Sequence, residues 1–537
     1  MKNLIFWAAI LCSSSLLAQQ GITGIVVDAQ TQKAIQGVLI SVPSFQIQVR
    51  SDAQGLFVFP FSWSDQQALR LKHPDYQILD TSVFGNVSSL RFELRLGHMT
   101  TEEVTVSAQQ VSLRAKNTVP MEVRSLNDLQ LSGGMHISEL LTKIPGVYSS
   151  SLGNGIAKPV IRGMQGMRVV TLVNGLRLEG QQWGGDHGMG IGELGLGSVE
   201  VIKGPASVLY GADALGGVVY LVDEPYARIG QQTLDVQQKW NQSTNGSTSS
   251  ILYKKSQGNK RLLVAGSYAN HADFQLPNKK FAQNSRFNES VIKSALSWNG
   301  KNKVHHLRYS FNHVMSGLPG HTHDSILNPL EFQSDIQRRK QTIPAQFFNN
   351  HYLSFENKWF LEKNEVSVLL GQTLNQLTEY DEKVTIPGIQ MRLWNSLYTA
   401  KWTHTFNENL KVVNGMQGMF QNNLNGMDGT ERLLPNSLSF DNGLFSMWMY
   451  SMDRWNFQAG LRYDLRFIKT LEEFKGKPAI SKSYGSPNAS IGAIYSTDKF
   501  TFRTNVSTGY RAPHPSELLA NGFHHGALRY EIGDEQL

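Results

Sequence analysis

Side chains able to hold a metal gather in a few short stretches of this 537-residue chain. Gly317-Leu-Pro-Gly-His321-Thr-His323-Asp324 places two imidazoles and a carboxylate at near-contiguous positions on a turn. Such a donor set suits a transition metal. Asp186-His187 sits in the glycine-rich run Gly184–Gly192, and His524-His525 precedes Tyr530-Glu-Ile-Gly533. His306 lies in the alternating run Val304–Val314, where it shares a face with Arg308 and Ser310. His305 and His313 fall with Leu307, Tyr309 and Phe311, and His404 with Tyr398 and Trp402, a parity that places them at an apolar boundary. Eleven of the fifteen histidines follow residue 228. Two readings stand together: ligands for a metal or metal chelate, or solvated loop residues.

Catalysis has no comparable constellation. His136-Ile-Ser-Glu139 has a spacing that puts two zinc donors on one helical face. No third ligand or general base accompanies it, and Ile137, Leu140 and Leu141 mark a packing helix. Gly188-Met-Gly190-Ile-Gly192 lacks the strand and helix that frame a nucleotide loop. The expectation is a protein that is not an enzyme and needs no cofactor of its own. A net charge of +7 without Lys/Arg runs gives nucleic-acid binding no footing and suits anionic headgroups or solutes.

The elements that must position these residues change character along the chain. Residues 1–18 read as a secretory signal peptide, with Lys2, the apolar run Leu4–Leu11 and Ala18 before the cut. Cys12 is the only cysteine, so the exported protein has no disulfide. No later run reaches the ~18 apolar residues of a spanning helix, and mean hydropathy is −0.28. Residues 21–97 read as a small β-sandwich of short runs between turns, with Leu56 and Val58 on one face and Phe57 and Phe59 on the other. Residues 98–112 are a polar linker. Within it Glu102-Glu103-Val104-Thr105-Val106-Ser107 is extended and able to add a strand to another protein's sheet.

Residues 113–225 mix helix and strand. Leu140-Leu-Thr-Lys-Ile-Pro-Gly-Val147 ends a helix, and Arg168-Val-Val-Thr-Leu-Val-Asn-Gly175 is a strand stopped by an Asn-Gly turn. Val199-Glu-Val-Ile-Lys-Gly-Pro-Ala-Ser-Val-Leu-Tyr-Gly-Ala-Asp-Ala-Leu-Gly-Gly217 reads as strand, break, helical turn and close-packed glycines. From about residue 228 the texture is long amphipathic strands. In Arg454–Phe467 the residues Trp455, Phe457, Leu461, Tyr463, Leu465 and Phe467 take one face, and Asn456, Gln458, Arg462, Asp464 and Arg466 the other. Lys499–Tyr510 repeats the pattern. Apolar-out, polar-in strands of this length indicate an antiparallel membrane β-barrel. The fold class is therefore mainly β: a small sandwich, an α+β domain, then a barrel over residues 228–537.

The segment Val199–Gly217 resembles the end of the plug domain of TonB-dependent outer-membrane receptors. Leu140–Val147, Val160-Ile-Arg-Gly-Met164 and Arg168–Gly175 are similar to further plug segments, with Asn174 where aspartate is more usual. The resemblance implies a plug over 113–225 inside a 22-strand barrel, an outer-membrane location and active import. It identifies Glu102–Ser107 as a TonB box, pulled by the TonB energy-transducing complex. Residues 21–97 resemble the carboxypeptidase-regulatory-like domain that precedes some plugs. The resemblance implies a metal or metal chelate as cargo (ferric siderophore, haem, or zinc or copper), with a siderophore as the family default. The G-x-P-G-H-x-H run, which looks like that of outer-membrane zinc and haem receptors, tilts this toward a metal ion or haem. A glycan importer working with a surface lipoprotein, and a passive pore or adhesin, are the alternatives. Twenty-two strands of roughly 10 residues leave little for loops after residue 228, and Gly509-Tyr-Arg-Ala-Pro513 resembles a segment followed by further strands. The expectation is a C-terminally incomplete barrel.

Overall fold

A strand that alternates apolar and polar residues buries one face and exposes the other. In strand Trp455–Thr470 of the computed structural model the usual assignment is inverted. Arg462 and Arg466 are buried, while Leu461 is 56% and Phe467 46% exposed. The structure describes residues 21–537 apart from 43–46, 61–62, 64, 74–75, 85–88, 95–117, 132, 154, 185–186, 205, 301, 320–328, 408, 498–499 and 525–528. These fall into two units, one reaching Met99 and the other beginning at Thr100.

The first unit is a pair of sheets. Strand Ile22–Asp28 lies between Leu56–Phe59 and Ser89–Leu94, antiparallel to the first and parallel to the second. The second sheet runs in the order Ile47–Arg50, Leu39–Val42, Gln66–His73, Tyr76–Phe84. Phe57, Phe59, Trp63, Leu71 and Phe92 lie in one core, with the Phe57 and Phe92 rings stacked at 5.8 Å. Leu56 and Val58 are exposed, as their alternation with the two phenylalanines requires.

The second unit opens with a five-stranded sheet in the order Leu176–Arg177, Val169–Val173, Gly217–Asp223, Leu196–Lys203, Met121–Ser125. Its central strands are mostly apolar because both faces are covered, with Thr171 and Glu200 buried among the apolar residues. Ile137, Leu140, Leu141 and Ile144 pack with Val199, Val201, Val219 and Leu221. Tyr210 and Ala214 pack with Ile202, Val218 and Tyr220. Gly217 has φ +151°, and a Cβ there would stand 2.3 Å from the Ile202 carbonyl oxygen. That contact leaves room for glycine alone.

Thirteen strands from Gln232–Asn241 to Thr501–Ser507 form one antiparallel meander, each bonded to the next. Among the described residues the first and last are not paired, so the sheet is open. Most of these strands have 12 to 17 residues, longer than the ten expected. Connections at one end span two to four residues, such as 258–259 and 453–454. At the other end most span eight or more, including 272–286, 318–344, 381–388 and 508–520. Membrane barrels show this asymmetry, with short periplasmic turns and long outer loops. No described helix is long and apolar enough to cross a membrane.

Candidate functional site

The glycine-rich loop before strand Leu196–Lys203 is pressed against the inner face of the wall. Asn350 Nδ2 donates to the Gly190 carbonyl at 2.6 Å, and Gly192 N donates to Asn312 Oδ1 at 3.1 Å. A Cβ on Gly190 would lie 2.9 Å from that of Phe348, so the close approach depends on glycine. Just upstream, Lys158 Nζ donates to the carbonyls of Gln181, Trp183 and Gly184, fixing the turn Glu179–Gln182 from beneath. Trp183 is buried, stacked on Phe348 at 6.4 Å. Next to it Gln182 reaches Gln421, which also donates to Asn395 Oδ1 at 2.9 Å. Uncharged amides thus line this side of the lumen, where the strands' polar faces must be satisfied.

His187 lies in this loop and is fully buried. Its Nδ1 is 3.1 Å from the Trp183 carbonyl oxygen and its Nε2 3.3 Å from Glu379 Oε2. Glu379 stands near the long-loop end of strand Asn364–Tyr380, so His187 joins the plug to the wall there. His306 is also buried, but close to the short turn at 300–302, toward the opposite end of its strand from the 318–344 loop. Its ring stacks on Tyr226 at 6.1 Å, beside the Arg308–Glu356 ion pair. The structure therefore does not bring His306 and His187 together. Asp186, His321, His323, Asp324, His525 and the whole of Glu102–Ser107 lie outside the described residues. His524 ends strand Asn521–His524, with its side chain outside the described set. No group of three or more His, Cys, Asp or Glu able to hold a metal ion occurs among the described residues.

His136 and Glu139 have a local role. His136 is the N-cap of helix Ile137–Leu141, its ring nitrogen accepting from Glu139 N, while Glu139 Oε2 accepts from Met135 N at 2.9 Å. The H-x-x-E spacing serves here to satisfy backbone N–H groups at the start of the helix, His136 at the N-cap and Glu139 on the residue before it. The boundary histidines pair with asparagines on neighbouring strands: His313 with Asn349 and His404 with Asn364, both at 2.8 Å.

A cluster that single residues did not announce lies across the lumen. Asp213 is buried in the plug and receives Arg177 at 2.7 Å from its own domain. Arg466 of the wall reaches it at 3.0 Å and also holds Asp441 at 2.7 Å. His514 Nε2, from the 508–520 segment, lies 3.3 Å from Asp213 and 3.1 Å from Arg466. Burial alone would raise the Asp213 carboxyl, but Arg466, His514 and Arg177 hold it well below the usual range. The lumen-facing parity of Arg462 and Arg466 was legible in sequence; Asp213 lies more than two hundred residues upstream, and no local spacing couples it to them. Beside this cluster is a cleft partly open to solvent, bounded by Arg177, Asp213, Gln417, Arg462, Leu397 and Met419.

Comparison with known proteins accounts for this architecture. Residues 114–218 match the family described as TonB-dependent Receptor Plug Domain, and residues 216–537 the TonB dependent receptor-like beta-barrel. The vitamin B12 transporter BtuB of Photobacterium profundum is 30% identical over 121 residues, which is 22% of this chain and 20% of BtuB. The solved copper transporter OprC superposes with a TM-score of 0.62 at 16% identity, covering 75% of this chain and 65% of OprC. Unliganded ferric citrate transporter FecA gives 0.60 at 13%, covering 74% and 63%. The chain thus spans a fifth of that BtuB and less than two thirds of these solved transporters. With its plug and barrel both matched, over more than half of its length, the chain belongs to the family of TonB-dependent receptors.

Proposed function

We propose that this protein is an active importer of the bacterial outer membrane, carrying a metal or metal chelate past its plug. The observation that carries this reading is the inverted wall. Charged and amide side chains are buried on the inner face of thirteen strands, against a plug domain, while leucines and aromatics face outward. A lumen filled in this way does not conduct passively, so passage requires work on the plug. The TonB energy-transducing complex would supply that work by pairing with Glu102–Ser107 as an added strand. The domain at residues 21–97 would be a carboxypeptidase-regulatory-like extension preceding that segment.

Copper and ferric citrate are the cargoes named for OprC and FecA. They support a metal or chelate here, alongside His321, His323 and Asp324, whose donor chemistry favours the same class. The test uses cells expressing the receptor with and without Glu102–Ser107, supplied in turn with copper, zinc, haem, ferric citrate and an oligosaccharide. Uptake of one metal cargo should fall at least tenfold on deletion while surface binding persists. Uptake that survives the deletion overturns energised import, and uptake of the oligosaccharide alone overturns the metal assignment.

A further inference from the structure

Arg338-Arg339-Lys340, in the long connection 318–344, sets three cations side by side, a triplet too short to stand out as a charge run in the sequence. Each residue from Gln337 to Lys340 is tied to the rim of the wall. Gln337 Nε2 donates to the carbonyls of Ser243 and Asp273, at 3.3 and 2.8 Å. The Arg338 carbonyl accepts from Asp273 N at 2.9 Å. Arg339 donates to the carbonyls of Asn270, at 3.1 Å, and Asn245. The Lys340 carbonyl accepts from Arg286 at 2.8 Å, and Arg286 is held in turn by the buried Asp273 at 3.0 Å. These bonds fix the segment, while Arg338, Arg339 and Lys340 stay exposed.

Strand Lys260–His271 sets the height of this triplet on the wall. Leu262 and Val264 face outward, and above them Tyr268 is 52% exposed, its hydroxyl accepting from Asn270 Nδ2 at 3.3 Å. A tyrosine that closes an outward apolar row stands at the headgroup level of a bilayer. Arg339 binds the next outward residue, Asn270, through its carbonyl and through Oδ1 at 3.4 Å, so the triplet sits immediately above that level. Charge is one-sided there. Asp273 is taken by Arg286 and Asp335 by Lys280 at 3.5 Å, and among the described residues no carboxylate pairs with Arg338, Arg339 or Lys340. The 381–388 connection, by contrast, sets Asp381 and Glu382 against Lys383. We propose that this sector of the rim docks a phosphorylated lipid of the outer leaflet. Its chains would lie along Leu262 and Val264, and its phosphate would meet the forked and pointed donors of the triplet. The proposal rests on the outer-membrane location and not on import.

The whole receptor in a neutral detergent, titrated with diphosphoryl lipid A in mixed micelles, tests this with neither TonB nor cargo, so its failure is distinct from failure of the uptake experiment. Arg338→Gln with Arg339→Gln and Lys340→Gln should weaken binding at least tenfold. Arg338→Gln with Lys340→Gln keeps the Arg339 bonds to the rim, should weaken binding at least threefold, and serves if the triple variant does not fold. Lys255→Gln with Lys260→Gln removes two exposed cations beside the 258–259 turn, at the opposite end of the wall, and should leave binding within about twofold. Dephosphorylated lipid A should bind the parent no better than diphosphoryl lipid A binds the triple variant. Unchanged binding in both 338–340 variants, or an equal loss in the Lys255 and Lys260 variant, overturns the proposal. So does equal binding of the dephosphorylated lipid, or full displacement by inorganic phosphate at the concentration of the lipid, which would mark a site for a free anion.

Discussion

At the scale of single residues, the plug contains a carboxyl that the import reading does not use. Glu200 is 1% exposed at the centre of strand Leu196–Lys203, between its cross-strand neighbours Tyr220 and Val123. Its Oε2 has no hydrogen-bond partner among the described residues. Burial pushes its pKa up from 4.5 to about 8. The sign follows from proton counts: between about 4.5 and about 8 the unfolded plug has lost this proton and the folded plug keeps it. Plug stability should therefore fall as pH rises across that window, by on the order of a few kcal/mol, and level off above it. Glu200→Gln should flatten the profile. Limited proteolysis of the plug in graded urea, near pH 5 and near pH 9, measures this; an unchanged urea midpoint in the unsubstituted receptor would sink the idea. Sequence alone placed Glu200 on a strand of a familiar segment. Its isolation arises from the packing of Tyr210, Val218 and Tyr220 on that sheet face, which spacing does not reveal.

At the scale of elements, the alternation of Arg454–Phe467 was sufficient to orient a whole strand, because a one-residue slip would turn every side chain to the other medium. The observed strand Trp455–Thr470 keeps that parity throughout. Shorter strands were harder to read. In the first unit Ile47–Arg50 and Tyr76–Phe84 carry little signal, since a four-residue run and one broken by Asp80 and Thr81 give a weak period. The long strands carry a sharp test of the membrane assignment. Leu461 lies near the middle of its strand and faces outward, so Leu461→Arg should cost about 2–4 kcal/mol if that face meets lipid. On a soluble sheet the same exposed position would tolerate arginine within about 0.5 kcal/mol. Urea unfolding from lipid vesicles distinguishes the two, and a neutral Leu461→Arg would count against a bilayer at this face.

At the scale of the whole molecule, the two units rest on different physics. The thirteen-stranded sheet leaves apolar side chains on its outer face, whereas the first unit buries Val26, Phe57, Phe59, Leu69, Leu71 and Phe92 in a core of its own. Among the described residues its sheets draw no strand from beyond Leu94. A segment of this size is near the lower limit at which a single core overcomes chain entropy, and it has no disulfide to assist. Aromatic packing compensates: Phe59 meets Trp63 edge-on at 5.5 Å while Phe57 stacks on Phe92, pairs that add to area burial. Residues 21–97 expressed alone should therefore unfold cooperatively in water without detergent. Phe57→Ala should cost about 3–5 kcal/mol, enough to abolish folding of so marginal a domain. Thermal circular dichroism of the isolated segment measures both. A non-cooperative melt of the unsubstituted segment would mean that its core is completed by contacts outside residues 21–97, and the chain would then have to be treated as one folding unit.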